Sequence, residues 1–367
     1  MHKTSAWPLS LVYAGLIVYA SLYPCGEWRD QGIFPLSYLW QPWPKYWTGF
    51  DVGINIMGYL PFGFLLALVA LRTGRANHAV FLATLVAGLM SLSMEAVQGF
   101  LTSRVPSNVD FGLNLAGGGL GAVAATLLEK AGALDRWSRL RSRWFVNDAR
   151  GGLVLLALWP IALLFPSAVP LGLGQVLERL EDTLAERLAD TPFLEWLPIR
   201  AIELQPMTPS AEMICVMLGA LIPCLVGFCV IRGALRRGIF VLVVIACAVA
   251  ITALSAALSF GPFHAWTWFA LPAQAGLLLA FVLACALLVV QRRFSAALAI
   301  LCLGVYLSII NQASNGPYFE QTLHAWEQGR FIRFNGVAQW LAWVWPYATL
   351  IYVLMLIARP ENRQSEN

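Results

Sequence analysis

Apolar blocks dominate this chain. Each runs for about 16–24 residues between short polar joints, the length at which an α-helix crosses the hydrocarbon core of a bilayer. In lipid only helices and closed barrels satisfy their own backbone hydrogen bonds. A barrel would show short alternating segments instead, and the sequence has none. The expected fold is therefore all-α, a polytopic transmembrane helical bundle. Hydrophobic residues make up 59% of the sequence and charged residues 12%, about half the charge fraction of a soluble domain. The spans read as 8–24, 52–71, 78–99, 110–129, 151–170, 209–231, 239–260, 266–290, 294–311 and 338–358, about ten in all. Residues 9–22 resemble a signal-peptide core, but no small-x-small cleavage site follows, so 8–24 is read as the first helix.

Basic residues orient these spans. With a cytoplasmic N-terminus, the inner joints hold Lys3, Arg72, Arg75, the run from Lys130 to Arg150, Arg232, Arg236, Arg237, Arg292, Arg293, Arg359 and Arg363. The outer joints keep only Arg29, Lys45, Arg104, Arg179, Arg187, Arg200, Arg330 and Arg333. Every inner joint carries positive charge, which places both termini in the cytoplasm and the protein in the inner (cytoplasmic) membrane. The joint 131–150 divides the chain into a four-span module, 1–130, and a six-span accessory module, 151–367. Its arginines suit the anionic inner leaflet.

Two outer segments stand apart. In 172–207, Leu177, Leu180, Leu184 and Leu188 recur at helical spacing among acidic residues, which predicts an amphipathic surface helix. In 312–337, Tyr318 and Trp326 suit the interfacial aromatic belt, and Arg330 and Arg333 could meet an anionic headgroup. Of the seven Cys residues only Cys25 faces an oxidising compartment, and no spacing suggests a disulfide or a zinc site.

The first module concentrates the intramembrane polar residues. Asp51, Asn55 and Gly58 form one stripe leading into Pro61-Phe-Gly63. Glu95 and Gln98 lie three apart at the end of the third span, with Ser91 a turn below Glu95. Arg104 occupies the joint, and Asp110 and Asn114 open the fourth span above Gly117-xxx-Gly121, a small-residue seam for close helix approach. Carboxylates and carboxamides at such depth are costly unless paired, so they mark a candidate site. Three carboxylates against one arginine leave negative charge to be protonated, hydrated or paired with something supplied from outside. Amides alone would equally serve as interhelical glue.

The ordered set Asp51-xxx-Asn55 to Leu60-Pro61-Phe-Gly63, Glu95-xx-Gln98, Arg104, and Asp110-xxx-Asn114-xx-Gly117-xxx-Gly121 resembles the VanZ-like family over about residues 10–130. The resemblance implies an envelope membrane protein connected with resistance to the lipoglycopeptide teicoplanin. The residues point to binding of an amphipathic envelope molecule at the outer leaflet. In that reading Arg104 contacts a phosphate or carboxylate, and Glu95, Asp110 and Asp51 hold cationic or hydroxyl groups. Asn55, Gln98 and Asn114 then fix orientation. The expected partners are membrane lipids and a lipid-linked envelope precursor or lipoglycopeptide, with no nucleic acid. Two alternatives stay open. One is an intramembrane enzyme with Glu95 or Asp110 as general base, for which Ser91, Ser93, Ser103 and Ser107 offer no His-activated nucleophile. The other is a transporter, although no internal repeat is visible. No metal-binding or nucleotide-binding motif is present, so no cofactor is implied.

Overall fold

The computed structural model describes residues 6–23, 28–32, 34–43, 49–102, 104–146, 148–189, 191–193, 207–312 and 332–358. Several residues weighed above lie outside this set: Lys3, Cys25, Lys45, Ser103, Arg200, Tyr318, Trp326, Arg330, Arg359 and Arg363. The side chains of Arg179 and Arg333 do so as well.

The fold is all-helical. Helices α1 (Ala6–Leu22), α2 (Gly49–Arg72), α3 (Ala79–Gln98), α4 (Asn108–Lys130) and α5 (Ala133–Trp144) are followed by α6 (Arg150–Ala162) and α7 (Leu177–Leu188). Then come α8 (Pro209–Val230), α9 (Ala234–Phe260), α10 (Leu271–Ala286), α11 (Arg292–Ile310) and α12 (Ile332–Ala358). Among the described residues the only β pairing is two isolated bridges, Trp28 with Leu101 and Phe145 with Ile231. By length and composition seven helices can cross a membrane, namely α2, α3, α4, α8, α9, α11 and α12. Three more, α1, α6 and α10, are apolar but shorter.

The chain divides into two compact units, Met1–Leu140 and Arg141–Asn367. In the first, α2 and α4 pack backbone to backbone. Gly63 faces the Gly118 carbonyl, Gly117 faces that of Ile56, and Gly121 faces that of Leu60. A β-carbon at any of the three would collide with the facing main chain, so these positions require glycine for a steric reason. The third helix joins this pair through small residues, and Ala83, Ala87 and Gly88 are buried.

In the second unit α8 is the hub. It is apolar on every face and buried from Leu218 to Val230, as expected of a helix at the centre of a bundle. Arg237 on α9 binds its end: the guanidinium donates to the carbonyls of Phe228, Ile231, Leu288 and Val290. Those carbonyls close α8 and follow α10, where helix ends leave acceptors unsatisfied.

One expected span ends early. The apolar run 151–170 is helical only to Ala162, and the chain continues irregularly, with Leu163, Phe165, Val169, Leu171 and Leu173 still buried. Irregular backbone in such surroundings needs partners from the protein itself. The Tyr306 hydroxyl donates to the Leu171 carbonyl at 2.7 Å and accepts the Leu173 N–H at 2.5 Å. The Asn311 carboxamide accepts the N–H groups of Val176 and Leu177 at the start of α7 and donates to the Gly174 carbonyl. On α7 itself, Leu177, Leu180 and Leu184 are exposed.

Candidate functional site

Where α3 ends and α4 begins, a chain of polar contacts runs inward through the first unit. It starts with the cap of α4. Ser107 is the N-cap residue, and its hydroxyl accepts the Asp110 N–H at 3.3 Å. The Ser107 backbone N–H donates to Glu95 Oε2 at 2.9 Å. Glu95 is thus held at the positive end of the α4 dipole, the place where a helix stabilises negative charge. Asp110 sits in the same first turn, and its Oδ1 accepts from Asn55 Nδ2 at 2.8 Å. One turn deeper, Asn114 Nδ2 donates to Ser91 Oγ at 3.0 Å. Below that contact the glycine seam begins. Three helices therefore share one polar cluster: Asn55 on α2, Ser91 and Glu95 on α3, Asp110 and Asn114 on α4.

Among the described residues Asn114 Oδ1, on a side chain 6% exposed, has no hydrogen-bond partner. The buried Tyr59 hydroxyl lies beside Ser91 and within electrostatic reach of Glu95. An unmet acceptor in such a place costs about 1–3 kcal/mol, so Asn114 Oδ1 is the feature of the cluster that packing alone does not explain.

Of the residues singled out from sequence, the structure joins Asn55 to Asp110, and it brings Glu95 and Asn114 into the same cluster. Asp51 lies one turn before Asn55 on the same stripe of α2. Gln98 turns away: its Nε2 donates to the Ser21 carbonyl at 2.9 Å. The reason is helical phase, since three residues fall about 60° short of a full turn, and here that offset points Gln98 at α1. Arg104 NH2 likewise donates to the Tyr23 carbonyl, at 2.7 Å, which ties the α3–α4 joint to the end of α1.

Tyr59 and Tyr38 went unread in the sequence, and Ser107 was read only as a hydroxyl without an activating His. Tyr59 is four residues after Asn55, so the stripe Asp51-Asn55 already pointed at it. Ser107-Val-Asn-Asp110 departs from a full capping box only in having Asp for Glu or Gln, and that pattern would have marked the start of α4. Tyr38 had no such signal. It lies in a short 3-10 turn, Ser37–Trp40, within the α1–α2 connection, and is fully buried against the hairpin. Its hydroxyl points to the Leu92 carbonyl at 3.4 Å. Burial, and then the nearby Glu95 carboxylate, push its pKa up to about 12, so Tyr38 meets the cluster as a neutral phenol.

Residues 7–129 match the sequence model of the VanZ/LLP1 family, so the VanZ-like resemblance holds for the N-terminal third of the chain, the part that carries this cluster. No curated protein and no solved structure matches the chain.

Proposed function

We propose that this VanZ-like membrane protein binds an amphipathic cell-envelope molecule at the outer leaflet of the inner membrane. The molecule is a lipid-linked envelope intermediate or an acyl-bearing lipoglycopeptide. In this reading about ten helices cross the bilayer, both termini are cytoplasmic, and the cluster at the α3–α4 turn faces outward. The three short apolar helices then complete the seven long ones.

The observation that supports this reading best is the unmet Asn114 Oδ1, inside a cluster whose other polar groups are held in place. A headgroup bearing a hydroxyl or amine donor would complete it. Glu95 and Asp110, oriented by Ser107 and Asn55, would hold further donors of this kind, and Asp51 would lie at the entrance. Arg104 would meet a phosphate or carboxylate through its planar fork of donors. Gln98, by its contact with Ser21, supports the wall at α1 rather than the ligand.

The test is native mass spectrometry of lipids carried through purification by wild type, Asn114→Ala and Glu95→Gln. A defined amphiphile present in wild type and lost from both variants supports the proposal. The same mixture of bulk phospholipids in all three sinks it.

Chemistry on the headgroup is a second reading, favoured by one arrangement: the buried Glu95 carboxylate lies within electrostatic reach of the hydroxyls of Tyr38 and Tyr59, groups that a general base could work beside. An amphiphile recovered with altered mass after incubation with wild type, and unaltered with Glu95→Gln, would decide for it.

A further inference from the structure

The described part of the α1–α2 connection, residues 28–32 and 34–43, has an inner and an outer side. Its inner side is fastened to the α3–α4 hairpin. The Arg29 N–H donates to the Phe100 carbonyl at 2.8 Å, and Gln31 Nε2 to that of Leu101 at 3.2 Å. Asn108 Nδ2 donates to the Gln41 carbonyl at 2.7 Å, and buried Tyr38 reaches down toward Leu92 and Glu95. The outer side carries large rings. Trp40 and Trp43 are each 75% exposed, and Phe34 and Trp28 are also exposed.

Four rings of this size, open within so short a stretch, are unusual on a surface that faces water. Indoles in particular prefer the boundary between headgroups and acyl chains, where one edge is apolar and the other meets water. The segment is fixed at the ends of α3 and α4, helices long and apolar enough to cross a bilayer, so it lies at the depth of that boundary. The flank of α2 beside the cluster is open as well, with Met57, between Asn55 and Tyr59, 65% exposed.

The geometry points to residues 28–32 and 34–43 as an interfacial strap: Phe34, Trp40 and Trp43 lie in the headgroup–acyl boundary of the leaflet on the cluster's side, Tyr38 roofs the cluster, and the ligand is a membrane lipid that arrives laterally through the bilayer. This rests on the binding role proposed above and adds the source of the ligand and the surface that receives it. A solute arriving from water would meet the strap and its fastened hydrogen bonds first. A lipid slides along the α2 flank and presents only its headgroup to Asn114, Tyr59 and Glu95.

Full-length protein labelled with 5-fluorotryptophan, in phosphatidylcholine–phosphatidylglycerol nanodiscs, tests this by fluorine NMR. Trp40→Phe and Trp43→Phe assign the two resonances, and both side chains are exposed enough for the variants to fold. Lipids with a nitroxide at the headgroup are the first probe and a water-soluble gadolinium chelate is the second. The strap predicts that both resonances lose most of their intensity to the lipid nitroxide and little to gadolinium. Broadening by gadolinium with no response to the lipid nitroxide would overturn it. The two proposals fail separately. An amphiphile lost from Asn114→Ala while the strap stands in water would refute only the lateral route. A strap seated in lipid with no amphiphile retained by wild type would refute the binding role.

Discussion

Asn114 carries two opposite contributions to stability. Its bond to Ser91 is of the kind that contributes about 0.6 kcal/mol on average between membrane helices. Its Oδ1, buried without a partner, costs more than that on the usual scale for an unmet acceptor. Replacing it should therefore leave stability unchanged or slightly raised. Asn114→Ala is expected to shift unfolding by less than about 1 kcal/mol in thermal denaturation in detergent, while abolishing amphiphile retention. A residue serving only as glue would show the reverse, lower stability with lipid content intact. Glu95→Gln keeps an acceptor for the Ser107 N–H but removes charge from the α4 N-terminus, a loss of about 0.3–1 kcal/mol. At this scale the sequence revealed the polar residues but not all of their partners. Spacing located Asn55, Glu95, Asp110 and Asn114, because a carboxylate or carboxamide among apolar neighbours stands out. It misdirected Gln98, since an offset of three residues leaves open which neighbouring helix a side chain meets. Tyr38 could not be read at all, because its position depends on how an irregular connection folds back onto the hairpin.

Helices α2 and α4 are held at a distance that only glycine permits. Gly121→Leu places a side chain against the Leu60 carbonyl and the Phe64 N–H. Overpacking of this kind costs about 1–3 kcal/mol or more, and here it would pry apart the two helices that present Asn55 and Asp110 to each other. Gly58→Ala is the matched control, since a β-carbon there meets nothing within 4 Å. Size-exclusion profiles in detergent should show Gly121→Leu aggregated and Gly58→Ala like wild type. The element that sequence misjudged is α6. The run 151–170 is apolar throughout, so composition predicted one helix, but Pro166 and Pro170 lie in the stretch where the helix has stopped. What makes that stop tolerable comes from far along the chain, from Tyr306 and Asn311. Tyr306→Phe leaves a buried N–H and a buried carbonyl without this partner, at about 1–3 kcal/mol each. Its unfolding temperature should fall well below that of Tyr347→Phe, which removes one of two donors to the Gly174 carbonyl.

For the molecule as a whole, the apolar blocks made the all-helical membrane architecture legible in the sequence. Hydrocarbon thickness accounts for the length of the seven long helices, and the helices found lie where the apolar blocks are. Charge predicts an orientation. The basic α5, with Arg136, Arg139, Arg141 and Arg143 beside exposed Trp137 and Leu140, suits an anionic inner leaflet. Alkaline phosphatase and green fluorescent protein fused to either end test this. Both termini should give fluorescence without phosphatase activity, and opposite signals would mean an odd number of crossings. The central claim is that the cluster between α2, α3 and α4 holds one amphiphile. Its most direct test is photocrosslinking in intact cells with p-azidophenylalanine at Tyr59, which is buried in the cluster, and at Met57, which is exposed on the same helix. The account predicts a single adduct mass at position 59, lost when Asn114→Ala is added, and a ladder of ordinary phospholipids at position 57. The same ladder at both positions, or no adduct at 59, would contradict it.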